Sequence, residues 1–201
     1  MKTAVYGGSF DPIHVGHSMV ASSVLRAGAA DEVWFMVSPC NPLKQGRRMT
    51  PERLRLEMAR CVAERCEGLI ASDFEFSLPR PSYTLATLRA LRDAYPDRDF
   101  TLLIGADNWR LFGEWRGPEE ILTEFGVIVF PRPGDPLEKG FWPSGVKRLE
   151  ERVRILNDIP QCFLSSSEIR RLRREGKDVT FLVDPRVEEL IVSHNLYTTE
   201  E

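Results

Sequence analysis

Short apolar runs alternate along this chain with longer stretches in which apolar residues recur at helical spacing. The short runs are typical of strands and cover residues 3–6, 32–37, 69–72, 99–104 and 127–130, with a further one at 162–164. The longer stretches predict helices at 15–27, 51–66, 83–95, 118–125, 146–156 and 185–194. Strands that alternate with helices are typical of βαβ units. We therefore expect an α/β fold with a mostly parallel, doubly wound sheet, helices on both faces, and one domain spanning residues 1–201.

Length, charge and cysteine usage narrow the class of protein. The chain has 201 residues, enough for one core, and 27 Lys plus Arg against 30 Asp plus Glu give a net charge of −3, which argues against a nucleic-acid partner. No apolar run reaches membrane-spanning length, and glycines follow the first strand too early for a signal peptide. The four cysteines lack metal-ligand spacing. We expect a cytoplasmic protein with reduced thiols and no membrane partner.

The most informative segment directly follows the first predicted strand and leads into the first predicted helix. It reads Gly-Gly-Ser-Phe-Asp-Pro-Ile-His-Val-Gly-His over residues 7–17. Paired glycines let the backbone approach a ligand closely, and a helix N-terminus attracts anions. His14 and His17 are two of only three histidines and share a helix face at this spacing. Imidazoles placed there can donate hydrogen bonds to phosphate oxygens, so the segment predicts phosphate chemistry.

Simpler explanations exist for parts of this segment. Gly7 and Gly8 alone are more often the glycines of a tight turn. A His-x-x-His pair is evidence for a metal only with a third ligand, and this segment is not the zinc-protease pattern. The whole string, in its strand-turn-helix context, favours phosphate binding, and we expect no metal site built from protein ligands.

A second candidate segment reads Leu-Ser-Ser-Ser-Glu-Ile-Arg over residues 164–170. Ser165 followed three residues later by Glu168 predicts a capping box and hence a helix start. Serine hydroxyls and unpaired amides at that start could also hold phosphate oxygens, with Arg170 one turn into the helix. The two interpretations compete, because an amide capped by a side chain is not available to an anion. The residues alone leave both open.

The first segment resembles the signature of the nucleotidyltransferase superfamily, which carries His-x-Gly-His after the first strand of a Rossmann-like fold. Its doubled glycine and Ser-Phe-Asp-Pro are most similar to the bacterial nicotinate-mononucleotide adenylyltransferases. The resemblance implies that His14 and His17 contact the ATP phosphates and stabilise the transition state. It also implies that residues 164–170 match an Ile-Ser-Ser-Thr-x-Ile-Arg string that binds the β- and γ-phosphates, with Leu and Ser replacing Ile and Thr. The resulting ATP-binding residues, besides the histidines and the catalytic candidate Arg170, are Gly7, Gly8, Ser9, Phe10, Gly16, Ser165, Ser166 and Ser167.

Weaker matches to the same family lie between these segments. Lys44 matches a catalytic lysine in a Pro-x-x-Pro-His-Lys string, although Leu43 departs from the histidine there. The resemblance implies that Tyr83 and Thr84 contact nicotinate mononucleotide. The other implied residues are Gly105 and Asp107 on the nucleotide side and Trp115 stacked on the pyridine ring.

The resemblance covers nearly the full chain and implies adenylyl transfer from ATP to nicotinate mononucleotide in NAD biosynthesis. The products are nicotinate adenine dinucleotide (deamido-NAD) and pyrophosphate, and Mg²⁺ is expected to be held mainly by the ATP phosphates and water. A homo-oligomer is left open. The alternatives are a phosphopantetheine adenylyltransferase, a cytidylyltransferase for a small phosphoalcohol, and a nucleotide-binding regulator without turnover. The doubled glycine, Pro12 and the Ser-Tyr-Thr at 82–84 favour nicotinate over the first two, and the histidine pair argues against the third.

Overall fold

The computed structural model describes residues 1–39, 49–132, 134, 137–138, 140–160 and 162–198. In this part of the chain the strands are β1 (Lys2–Gly8), β2 (Glu32–Val37), β3 (Leu69–Ser72), β4 (Asp99–Gly105), β5 (Val127–Phe130) and β6 (Val153–Ile155). The helices are α1 (Val15–Arg26), α2 (Glu52–Ala63), α3 (Thr84–Ala94), α4 (Ala106–Arg110), α5 (Pro118–Glu124), α6 (Ser166–Arg174) and α7 (Pro185–Ser193).

All described strands form one sheet in the order β3-β2-β1-β4-β5-β6, and every pairing in it is parallel. The chain runs outward from β1 to β3, then returns to the other side of β1 with β4. Between β1 and β4 the direction of winding reverses, and in such sheets ligands bind beyond the carboxyl ends of the strands at that point. The expected doubly wound α/β fold is confirmed, and the described sheet is wholly parallel rather than mostly so.

Alternating side chains of the strands form two apolar cores, one on each face of the sheet. Ala4 and Tyr6 of β1 face a core that includes residues of α1, α2, α6 and α7. Val5 faces the other core, to which α3, α4 and α5 contribute. Helices therefore cover both faces, as the alternation of strands and helices predicted.

Two predicted elements are wrong. Residues 146–156 were expected to form a helix, but they contain a 3₁₀ turn at Glu150–Arg152 and the edge strand β6. Residues 162–164 were expected to form a strand, but they have no regular structure and lead into α6. The short helix α4 was not predicted. The residues of β6 read Val-Arg-Ile, and three residues are too few to distinguish period 2 from a helical period.

None of the helices in the described ranges is long and apolar enough to cross a membrane. Cys61, Cys66 and Cys162 are free thiols, as expected. Cys66 is exposed, so it is not part of a core.

Candidate active site

The two sequence segments meet beyond the carboxyl end of β1, beside the point where the winding of the sheet reverses. A cleft of about 230 Å³ opens there, and its walls include Tyr6, His14, His17, Arg132 and Ser165. Gly7 and Gly8 end β1, and no atom lies within 4 Å of the position that a Cβ on Gly7 would take. A ligand can therefore approach the backbone at this strand end.

The two histidines cap α1 reciprocally. His14 is the N-cap residue, and its Nδ1 accepts a hydrogen bond from the Gly16 amide at 3.1 Å. The Nδ1 of His17 accepts one from the His14 amide at 3.2 Å. A backbone N–H can only donate, so both Nδ1 atoms are unprotonated, and each neutral ring carries its proton on Nε2. The caps thus fix one tautomer for both rings, with Nε2–H as the donor.

His14 is held in its neutral form. Burial, and secondarily the charge of Arg132, lower its pKa from 6.5 to about 4. The His14 and His17 ring centroids lie 3.9 Å apart. At neutral pH, His14 is therefore a hydrogen-bond donor from Nε2 rather than an imidazolium.

Gly16 is required by the position of the His14 ring. A Cβ on this residue would lie 2.9 Å from Cε1 and 3.0 Å from Nδ1 of His14, closer than ordinary contact. A Cβ on Gly8 would similarly lie 3.0 Å from the ring of Phe10. Phe10 is buried and packs edge-on against His17, with centroids 5.0 Å apart. Both glycines are thus explained by aromatic rings that lie directly on the backbone.

The second segment docks onto the loop between β1 and α1. Ser166 Oγ donates to the Pro12 carbonyl at 2.9 Å, and Arg170 Nη1 donates to the Asp11 carbonyl. Arg170 is buried, and its Nη2 donates to Ser167 Oγ at 2.9 Å. These contacts bring together residues more than 150 positions apart in the sequence. Direct hydrogen bonds therefore hold the two segments together.

The predicted start of α6 is confirmed, but the capping box is only half formed. Ser165 is the N-cap residue, and its Oγ accepts from the Glu168 amide at 3.1 Å. The Glu168 carboxylate pairs instead with Arg171 at 2.6 Å. The side chain of Glu168 is therefore directed to Arg171 and does not complete the predicted box.

The end of β4 contributes an ion pair to the rim of the cleft. Gly105, the last residue of β4, pairs in register with Phe130 of β5. It is followed by α4, which carries Asp107. The Asp107 carboxylate lies 3.0 Å from Arg132 Nε, and both side chains are about half exposed. A Cβ on Gly105 would come within 2.6 Å of both side chains. Arg132, which was not predicted from the sequence, therefore pairs with Asp107 and also lowers the pKa of His14.

The predicted acceptor residues lie together at the start of α3. Tyr83 is the N-cap residue of α3, Thr84 is its first residue, and neither makes a side-chain cap. The guanidinium of Arg116, next to Trp115, lies 4.5 Å from the centroid of the Tyr83 ring. The turn that carries Trp115 thus packs beside the Ser-Tyr-Thr segment. Ser82, which precedes the N-cap residue, donates its hydroxyl to Glu75 at 3.2 Å.

Arg55 is a buried residue that the sequence analysis missed. Its guanidinium donates to the carbonyls of Ser9 at 2.5 Å, Ser38 at 2.8 Å, Pro39 at 3.2 Å and Thr50 (from Nε) at 2.9 Å. It therefore joins the loop after β1, the end of β2 and the start of α2. The sequence holds one signal for it, since Arg55 is in phase with the apolar residues 58, 59 and 62 of the helix.

A second hydrogen-bond network, around the buried Asp11, holds the loop between β1 and α1. Tyr197 donates its hydroxyl to Asp11 Oδ1 at 2.7 Å, and the Thr50 amide donates to Asp11 Oδ2 at 3.4 Å. Thr50 precedes the N-cap residue Pro51 of α2, and its hydroxyl donates to the Tyr197 oxygen at 3.2 Å. Lys44 and Leu43 lie outside the described residues.

The comparisons with known proteins agree with this architecture. A family model described as cytidylyltransferase-like matches residues 5–172. The chain belongs to the cytidylyltransferase-like family.

Similar relatives with full-length matches carry a more specific name. A protein from Bacteroides thetaiotaomicron named "Probable nicotinate-nucleotide adenylyltransferase" is 42% identical over 191 residues, which are 95% of this chain and 91% of the relative. One of the same name from Cytophaga hutchinsonii is 37% identical over 98% of this chain and 99% of the relative. Among solved structures, the Plasmodium falciparum nicotinic acid mononucleotide adenylyltransferase complexed with NaAD has a TM-score of 0.79 at 21% identity, covering 99% of this chain and 98% of that one. This last similarity shows the fold alone.

Proposed function

We propose that this protein transfers the adenylyl group of ATP to nicotinate mononucleotide, producing nicotinate adenine dinucleotide (deamido-NAD) and pyrophosphate. The observation that carries the proposal is the reciprocal histidine cap, which gives Nε2–H donors to His14 and His17 in the wall of the cleft. Relatives at 37–42% identity that are named for this activity support the choice of substrates.

The reaction needs positioning and charge stabilisation rather than a covalent enzyme intermediate. A phosphate oxygen of nicotinate mononucleotide attacks the α-phosphorus of ATP, and the bond from that phosphorus to the bridging oxygen of pyrophosphate breaks. The acceptor phosphate is already ionised, so no strong general base is required. We assign the Nε2–H groups of His14 and His17 to the oxygens on which negative charge builds up around the α- and β-phosphates.

The remaining predicted residues bind the two substrates. Ser165, Ser166, Ser167 and Arg170 lie at the start of α6 and are assigned to the β- and γ-phosphates, with backbone amides other than that of Glu168, which Ser165 caps, as further donors. Gly105 and Asp107 are assigned to the nucleotide side. Tyr83, Thr84 and Trp115 are assigned to the nicotinate nucleotide, and Lys44 to further neutralisation of phosphate charge.

A divalent ion fits this site through the substrate. The described residues contain no group of three or more His, Cys, Asp or Glu placed to hold a metal. The triphosphate would supply oxygen ligands of the kind that Mg²⁺ prefers, with water completing the shell. Bound in this way, the ion would neutralise the charge of the leaving pyrophosphate.

The test is pyrophosphate release with ATP and Mg²⁺, comparing nicotinate mononucleotide, nicotinamide mononucleotide and phosphopantetheine as acceptors. Two variants keep the helix cap and remove the imidazoles: His14→Asn, because Asn is a good N-cap, and His17→Gln, because Gln at N3 can accept from the N-cap amide. We expect nicotinate mononucleotide to be preferred and each variant to lose roughly 100- to 1,000-fold in kcat. Preference for another acceptor would refute the substrate assignment, and binding of ATP without turnover would favour the regulator.

A further inference from the structure

Glu75 is a buried carboxylate that the proposed mechanism does not use. It lies in the 3₁₀ turn Phe74–Ser77 that follows β3 and is 8% exposed. Its oxygens accept hydrogen bonds from three hydroxyls: Ser38 at 2.9 Å, Ser82 at 3.2 Å and Thr87 at 2.9 Å. Burial raises the pKa of Glu75, and the three hydroxyls oppose that rise. Burial of a carboxylate costs desolvation energy. The hydrogen bonds that offset this cost form only if the carboxylate is in the right position.

The three hydroxyls belong to two different parts of the site. Ser38 follows β2, and its amide donates to the Gly8 carbonyl at 2.9 Å, while its own carbonyl accepts from Arg55. Ser38 is therefore fixed to the loop that carries the phosphate-binding residues. Ser82 directly precedes Tyr83, and Thr87 lies one turn into α3.

We propose that Glu75 is the positioning residue that sets the place of the acceptor-binding segment, Ser82 to Thr84, relative to the phosphate-binding loop. This inference rests on the proposed function, because it assumes that the acceptor binds at the start of α3. Transfer requires the acceptor oxygen and the α-phosphorus to be aligned, and a misplacement of about 1 Å can cost about 100-fold in rate. Glu75 links the two sides through Ser38 on one and through Ser82 and Thr87 on the other.

The chemistry of the contacts explains why a carboxylate is needed. An ionised carboxylate only accepts and can serve all three hydroxyl donors. A glutamine of the same shape offers one accepting oxygen and an NH₂ group that must itself donate, so at least one of the three hydroxyls has to reverse its role. The body of α3 does not depend on Glu75, since Leu88 and Leu91 anchor it in the core with no exposed surface. Substitution of Glu75 should therefore displace the start of α3 rather than unfold the helix.

The test is steady-state kinetics of Glu75→Gln with the acceptor and ATP varied separately, together with calorimetric binding of nicotinate mononucleotide and of a non-hydrolysable ATP analogue. The matched control is Asp73→Asn, which changes an exposed acid of the same segment whose partner is Arg60 at 3.7 Å. We expect kcat/KM for the acceptor to fall 10- to 100-fold in Glu75→Gln, with KM for ATP within twofold of the wild type. Asp73→Asn should leave all constants unchanged.

Thr87→Val provides a second variant of nearly constant shape if Glu75→Gln does not fold. It removes one of the three donors, and we expect a smaller effect of the same kind, about threefold to tenfold on the acceptor alone. An equal rise in KM for both substrates would overturn the positioning role, and so would a lower melting temperature with unchanged kinetics. Calorimetry separates the two proposals: acceptor that binds the wild type without turnover contradicts the proposed activity, whereas acceptor binding and kcat that are both unchanged in Glu75→Gln contradict the role of Glu75.

Discussion

Substitution of Gly16 by alanine should separate the rate of the reaction from the stability of the fold. The added Cβ would lie 2.9 Å from Cε1 and 3.0 Å from Nδ1 of His14, whereas ordinary contacts begin at 3.4 Å. The ring must therefore move by about 0.5 Å or more, and since about 1 Å of misplacement can cost about 100-fold, we expect kcat to fall roughly 10- to 100-fold.

The expected change in the free energy of unfolding is much smaller. Alanine in place of glycine stabilises a helix by up to about 1 kcal/mol. Weakening of the hydrogen bond from the Gly16 amide to His14 Nδ1 costs about 0.5–1.5 kcal/mol, so the two effects largely cancel. The melting temperature should stay within about 4 °C of the wild type.

The assay combines pyrophosphate release with thermal unfolding followed by circular dichroism. Ser22→Ala is the matched control, because it makes a similar small change further along the same helix, and we expect both its rate and its melting temperature to be unchanged. A folded Gly16→Ala protein whose kcat lies within twofold of the wild type would show that the position of the His14 ring is not critical. A loss of activity that parallels a large fall in melting temperature would equally contradict the reasoning.

Four further predictions concern charges and hydrogen bonds around the site. Because the pKa of His14 is about 4 in the folded protein and 6.5 in the unfolded chain, the unfolded chain binds the extra proton as the pH falls between these values. The free energy of unfolding should decrease by up to about 3 kcal/mol over that range, and urea titrations of His14→Asn should lack this contribution. Arg132→Ala should raise the pKa of His14 in an NMR titration, but only in part, since burial is the larger cause. Arg116 lies beside Tyr83, one of the proposed acceptor residues, so Arg116→Met should reduce the preference for nicotinate over nicotinamide mononucleotide in competition kinetics. The expected reduction is only about twofold to fivefold, because an exposed cation interacts weakly with a carboxylate. Tyr197→Phe should lower the free energy of unfolding by about 1–3 kcal/mol in urea, because the buried Asp11 loses its hydroxyl donor.

Each of these has an outcome that contradicts it. The first is contradicted if His14→Asn retains the full pH dependence of stability, and the second if the pKa of His14 does not rise in Arg132→Ala. The third is contradicted if Arg116→Met has the acceptor preference of the wild type, and the fourth if Tyr197→Phe is as stable as the wild type.

Local signals were enough to predict much of the fold. Residues 7–17 combine a strand end, glycines and a helix start in consecutive positions, and the structure has β1, the turn and α1 there. Ser165 likewise predicted the start of α6, because a cap is a contact between near neighbours. The edge strand β6 was missed because its three residues acquire their conformation from pairing with β5.

The supporting residues of the site could not be read from the sequence. Arg55, Arg132 and Glu75 each depend on a contact with a residue 25 to 46 positions away, namely Ser9, Asp107 and Ser38. For Arg132 and Glu75, nothing local distinguishes them from surface charges. Arg55 alone leaves a signal, its phase within an amphipathic helix. Burial of a charge becomes visible only when the tertiary structure supplies its partners.

The reciprocal histidine cap also has a dynamic consequence. Helix ends fray, and a capped end frays less. Opening of the first turn of α1 would break the two hydrogen bonds that orient His14 and His17. If these rings have the proposed catalytic role, the frayed conformer is inactive. Hydrogen exchange at the amides of His14 and Gly16 therefore measures the fraction of molecules whose imidazoles are correctly oriented, and a bound nucleotide that engages both rings should slow exchange at these two amides together.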